Sequence, residues 1–211
     1  MNALNFLIVA VAATAFTGIL FADANAYVLA MLALTAAVMY IKRKNINVLH
    51  IGGIVLITAL LEYVIILLVP LRGDIPTVYW GTFIFGAQIL ICYITIRVLV
   101  LRTYLSRKYL IKYNSDKVGD VNLTHAEGIL AGTYRIITIV MWLALAEYIL
   151  RNLDQLGINN EISNLFQNWR FVYDNYEFAI YPLRAFVSGV VLSMLFVTKL
   201  DTERLEKKQP A

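Results

Sequence analysis

Charge is scarce in this sequence: of 211 residues only 15% are Asp, Glu, Lys or Arg, against about a quarter in an ordinary soluble domain. Hydrophobic residues make up 60% of the chain and its mean hydropathy is +0.71, so lipid rather than a water-shielded core is the expected solvent. Cysteine occurs once, as Cys92 inside an apolar run, which excludes an intramolecular disulfide and any cysteine-pair metal site; a packing role is expected. Histidine occurs only at positions 50 and 125. GxSxG, HExxH and Walker patterns are missing, and Ser188-Gly189 has no histidine at bilayer depth to activate the serine. The chain is therefore not expected to be an enzyme.

Lys and Arg are also missing from residues 1–21. Ala24-Asn25-Ala26 reads as a small-x-small cleavage site, but a secretory signal needs a positive start, and the apolar run at 4–21 exceeds a usual signal core. A retained first helix is expected.

What is present is a series of apolar runs at 3–22, 26–41, 48–70, 77–101, 126–150 and 177–199. They predict one transmembrane domain, an all-α polytopic bundle of six spanning helices. Residues 22–25 form a tight polar turn that makes the first two runs a hairpin, and residues 70–76, with two prolines, Gly73 and Asp74, break the chain between the third and fourth. One set of connections carries Lys42, Arg43, Lys44, Arg102, Arg107, Lys108, Lys112, Lys117, Lys199, Arg204, Lys207 and Lys208; the other set has only Arg72, Arg151 and Arg170. Positive charge is retained inside during insertion, so both termini are expected in the cytoplasm, in a multi-pass cell-membrane protein, of the inner membrane if bacterial. The net charge of +4 is then a topological signal, and no nucleic-acid partner is expected.

Between the runs, the basic amphipathic segment 102–124 presents Arg107, Lys108 and Lys112 among Leu105, Tyr109, Leu110 and Tyr113. It is read as a helix continuing beyond the membrane beside anionic headgroups, with a partner-binding arm as the alternative. Residues 158–170 are expected to form an outer interfacial helix, and 200–211 a cytoplasmic tail. Small residues recur every fourth position at Ala10, Thr14 and Gly18, at Ala26, Ala30, (one step short) Ala33 and Ala37, at Gly128 and Gly132, and at Ala185, Gly189 and Ser193. Close helix contacts are expected on these faces, within the chain or between subunits.

Five polar residues stand inside the apolar runs: Glu62, Gln88, Arg135, Glu147 and Arg184. An ionised side chain at bilayer depth costs at least ~2.5 kcal/mol, so such groups face a protein interior or a water-filled path. At ~1.5 Å rise per residue, Glu62 and Arg184 fall at nearly one level and are expected to pair, Gln88 and Arg135 near the middle, and Glu147 near the outer boundary. The pair serves either as a polar transport site or as an internal ion pair that fixes register. Pro182 either kinks the last span or lies in its first turn. Arg97 is expected to reach toward the cytoplasmic headgroups.

Asn47-x-x-His50-x-x-Gly53-Ile54 is echoed by Asn122-x-x-His125-x-x-Gly128-Ile129. Two asparagine-capped helix starts explain the echo; the alternative is a haem b held between His50 and His125. No other cofactor and no metal are expected. A second echo, Glu62-Tyr63 and Glu147-Tyr148, has a different spacing from the first. Three functions follow: a channel or transporter subunit working as a homo-oligomer, a membrane-anchored effector that alters membrane permeability on receiving a cytoplasmic protein or small-molecule signal, or a haem-bearing electron carrier.

Overall fold

Backbone groups facing lipid must bond within their own segment, so apolar runs of this length fold as helices. The computed structural model describes residues 3–68, 76–113 and 115–206, and among these it is all-helical. The helices are α1 (Ala3–Ala22), α2 (Ala24–Ile41), α3 (Ile46–Leu68), α4 (Thr77–Tyr113), α5 (His125–Arg151), α6 (Asn160–Phe166) and α7 (Phe171–Glu206), with a 3-10 turn at Ser115–Asp120. Helices α3, α4, α5 and α7 are each long and apolar enough to cross a membrane; α1 and α2 are apolar but shorter. Apart from Pro76, the break at 70–76 lies outside the described residues, as do Lys207 and Lys208.

Local chemistry sets the helix ends. Asp23 is the single residue between α1 and α2; its carboxylate accepts from the Asn25 N–H at 2.8 Å and so caps α2. Asn45 caps α3 in the same way, accepting from the N–H groups of Asn47 and Val48 at 3.0 and 3.2 Å. Thr124 stands at the N-cap of α5. The two echoed asparagines, 47 and 122, are therefore not the caps, and their side chain and backbone are free for other partners.

Contacts along the helices show their relative directions. Val9 meets Gly189 while Phe21 meets Tyr181, so α1 and α7 are antiparallel. Met39 against Gly52 joins α2 to α3, and Thr58–Thr95 with Asn47–Arg102 joins α3 to α4. Gly81 against Tyr148 and Arg102 against Glu127 join α4 to α5 in the same antiparallel sense. The six long helices thus alternate in direction. Packing runs α2–α3–α4–α5–α7 and back to α2, a five-helix ring, with α1 attached outside on α7 and α2. The ring's outer faces carry exposed Leu61, Leu67, Phe83, Leu90, Ile139 and Leu143, an apolar surface of the kind lipid covers.

The structure departs from several expectations. The expected continuation of the fourth run is present, as one helix of 37 residues, about 55 Å long, but it ends at Tyr113, so the rest of the basic segment lies outside it. Helix α7 begins at Phe171, so Pro182 lies three turns inside it and not in its first turn. The outer interfacial helix shrinks to seven residues, although Ile162, Leu165 and Trp169 are exposed as that reading requires. Of the small-residue stripes, only Ala185-Gly189-Ser193 is buried within the chain. Thr14 and Gly18 of α1, Ala26, Ala33 and Ala37 of α2, and Gly128 of α5 face outward. The inner face of α2 is instead made by Tyr27, Met31, Thr35 and Val38, whose larger side chains fill the ring.

A Cβ at Gly189 would stand 2.7 Å from the Val9 carbonyl oxygen, whereas one at Gly128 would meet nothing within 4 Å. Gly189→Leu is therefore expected to lower the thermal unfolding midpoint in detergent, with overpacking worth about 1–3 kcal/mol. In the single chain Gly128→Ala should be neutral or, through helix propensity, more stable by up to about 1 kcal/mol. Indifference to Gly189→Leu would place that face of α7 against lipid.

Candidate functional site

Helices α3 and α7 flank α2 in the ring, and a charge projects inward from each. Arg184 Nη2 stands 3.2 Å from Glu62 Oε2, with the two side chains 19% and 14% exposed. The expected pairing is present, and the pair is not sealed: it lines a cavity of about 50 Å³ with Tyr27, Ala59, Tyr63 and Tyr134. At ~10–15 Å³ per water-sized probe, that volume holds a few waters. Tyr27, one turn into α2, donates its hydroxyl proton to the Arg184 carbonyl oxygen at 2.8 Å and lies 3.2 Å from Ser188 Oγ, which fixes α2 against α7 beside the pair.

The inner face of α4 completes this interior. Gln88, Cys92, Thr95, Leu99, Arg102 and Ser106 are all buried, and their alternating spacing of four and three residues keeps them on one stripe. Cys92 Sγ is 3.7 Å from Glu62 Oε1, so the thiol touches the charged pair as well as packing. One turn nearer the end of α4, Thr95 Oγ1 and Thr58 Oγ1 are 2.8 Å apart. Positions 62, 58, 54, 50 and 47 share one face of α3, so polar groups of α3 and α4 meet at matching levels, interrupted by Ile54 and Leu99.

At the far end of that seam is a second buried ion pair that sequence reasoning missed. Arg102 and Glu127 are in contact, at 1% and 3% exposure. Arg102 also donates to Asn47 Oδ1 at 2.8 Å and to the Asn122 carbonyl oxygen. Asn47 accepts in addition from the Asn122 N–H at 3.0 Å and donates to the Asp120 carbonyl at 2.9 Å. The two echoed segments therefore meet, and Arg102, counted in the sequence among the basic residues of the connections, is the bolt between them. The available signal was the Thr124-x-x-Glu127 spacing of a capping box: Glu127 Oε1 accepts from the Thr124 N–H at 3.1 Å.

The remaining candidates separate. Gln88 is buried one turn from Cys92. Glu147, placed by the depth count near the outer boundary, is also buried: its oxygens accept from the N–H groups of Val172 and Tyr173 at 2.7 and 2.9 Å. It caps α7, which has no Ser, Thr, Asp or Asn immediately before Phe171 to do so. Thus Glu62-Tyr63 and Glu147-Tyr148 do different work. Arg135 is not in the interior; it is exposed on the outer face of α5, with no partner among the described residues. Arg97 turns back along α4 and donates to the Tyr93 hydroxyl at 2.7 Å through Nη2, away from the headgroups it was expected to reach. Arg107 bonds the Val121 carbonyl at 2.9 Å through Nη2 and ties the connecting segment to α4. Lys108 and Lys112 are exposed.

His50 encloses its Nδ1 without a hydrogen-bond partner, whereas His125 is exposed at the start of α5. Neither imidazole lines the cavity beside Glu62. No group of three or more His, Cys, Asp or Glu side chains suited to a metal ion occurs among the described residues.

Fold and site together define a helical bundle, with four helices long and apolar enough to cross a membrane, built around a charged pair. No protein-family model matches this chain, and neither a curated protein nor a solved structure matches it.

Removing one member of the Glu62–Arg184 pair strands the other. Glu62→Gln and Arg184→Gln are each expected to destabilise the detergent-solubilised protein by up to about 3–5 kcal/mol. The double substitution should recover part of that loss, and strictly additive losses in thermal unfolding would show that the two side chains are not coupled.

Proposed function

We propose that this protein is a small channel or transporter subunit of a cell membrane, the cytoplasmic membrane in a bacterium, and that its path runs by the Glu62–Arg184 cavity. The observation that carries the reading is that the paired charges line open volume between α2, α3, α5 and α7. A pair serving register alone needs no open volume beside it, whereas a polar path does. In this reading all six long helices cross the bilayer, α1 and α2 as short spans. Their alternating directions put both termini on one side, and the lysine distribution makes that side the cytoplasm.

Assembly as a homo-oligomer is part of the proposal. Gly128, Gly132 and Arg135 follow one another at four and three residues on α5, and the described chain leaves Gly128 and Arg135 exposed. An arginine facing lipid at depth costs at least ~2.5 kcal/mol; a neighbouring subunit would cover it. A second reading, a membrane effector that receives a cytoplasmic partner or signal, draws on the end of α4. There Tyr104, Leu105, Tyr109 and Ile111 stand exposed beside Lys108 and Lys112.

Two measurements test the proposal. Liposomes containing the purified protein should pass an ion or small solute that protein-free liposomes retain, and the Glu62→Gln/Arg184→Gln double substitution should reduce that flux; an impermeable wild type would favour the effector reading. A reporter active only outside the cytoplasm, fused after Ala211, should stay silent, and activity there would require an odd number of spans.

A further inference from the structure

We infer that the transported ion is the proton, carried by Glu62 with Arg184 as its stationary counter-charge. The inference rests on the transport reading above and names the substrate of the same cavity. Charge balance comes first. With a guanidinium 3.2 Å from the carboxylate, the site is neutral, so neither a metal cation nor an anion finds unmatched charge there. A hard cation also needs about six oxygen ligands, and the described residues contain no cluster of three metal-binding side chains.

Size points the same way. The cavity of about 50 Å³ is far below the ~300–1,000 Å³ of a small-molecule site, yet it accommodates a short water chain. Tyr27, Tyr63 and Tyr134 are among the residues that line it, and a phenol can both donate and accept, as a proton relay requires. A metal ion or an organic solute would leave these groups without a role.

The step itself is simple to balance. A hydronium in the cavity gives its proton to a Glu62 carboxylate oxygen, leaving water and a neutral carboxyl. Arg184 keeps its own proton throughout, because a guanidinium does not lose it in proteins. Protonation removes the attraction that holds the pair closed. Release of the proton from Glu62 to water on the other side restores the carboxylate and the pair, so one proton has crossed and nothing else has changed. Toward the cytoplasmic end, the α3–α4 seam offers Thr58–Thr95 at 2.8 Å and then, beyond Ile54 and Leu99, His50 with its enclosed, unpartnered Nδ1. That apolar level spans about 10–12 Å and is where the path is interrupted in this conformation.

The groups that face Glu62 are Arg184 from α7, Cys92 from α4, and Tyr27 and Tyr134 from α2 and α5. The test uses the full chain in liposomes loaded with a pH-sensitive dye, with a membrane potential set by potassium and valinomycin, and potassium and chloride fluxes measured separately without valinomycin. Wild type should move protons, Glu62→Asp should retain part of the rate, and Glu62→Gln should lose on the order of 100-fold. If Glu62→Gln is poorly folded, Glu62→Gln/Arg184→Gln takes its place, since both charges are gone, and the same loss is expected. Infrared difference spectra recorded during turnover should show a protonated-carboxyl band in wild type that is missing in the variant. Proton flux that survives the loss of Glu62 overturns the inference. Potassium or chloride flux without proton flux overturns it while leaving the transport reading in place, and no flux of any of the three ions overturns both.

Discussion

The attraction between Glu62 and Arg184 governs how this bundle is built. In a low-dielectric surround neither charge is tolerable alone, and each is tolerable beside the other. Helices α3 and α7, which carry them, pack mainly on other neighbours in the ring, so the pair bridges the interior that those neighbours enclose. The tyrosines around it follow from the same constraint. A phenol offers apolar surface to the packed helices and a hydroxyl to the charged centre, and Tyr27 shows both, with its ring against Phe16 and its hydroxyl on the Arg184 carbonyl.

Polar groups elsewhere in the interior obey the same requirement for partners, but at the ends of helices the partner is backbone. Glu147 satisfies two N–H groups in the first turn of α7, and Arg102 satisfies a carbonyl at Asn122 as well as the Glu127 carboxylate. Both devices connect segments that are distant in sequence. The first holds α5 to the start of α7, and the second gathers the starts of α3 and α5 around α4. Between them the ring is fixed at both ends, which leaves the centre, where the cavity lies, as the place with room to rearrange.

Close approach is supplied unevenly. Gly189 lets α7 meet the backbone of α1, and Gly81 admits the ring of Tyr148, so in each case the missing side chain belongs to the helix that receives a neighbour. The outward stripes on α1, α2 and α5 perform no such service within one chain. A four-residue spacing of small residues makes a smooth ridge but does not say which way the ridge points, because direction depends on where the larger residues of the same helix find their contacts.

Amino-acid order by itself determined the helical class, the positions of the long apolar runs and the common level of Glu62 and Arg184. Each of these depends on composition or on a fixed rise per residue, both of which are local quantities. It could not assign faces. The depth count that correctly joined Glu62 to Arg184 placed Arg135 at the middle as well, yet Arg135 points outward, since depth is one coordinate and rotation about the helix axis is another. Nor could local chemistry reveal that Glu147 caps a helix that begins more than twenty residues later, or that Arg102 leaves the basic cluster to lie buried against Glu127. Those partners are chosen by packing, which brings together groups whose separation along the chain carries no trace of their proximity. Only the tertiary structure decided which charges are enclosed, which are spent on backbone, and which remain on the outer face.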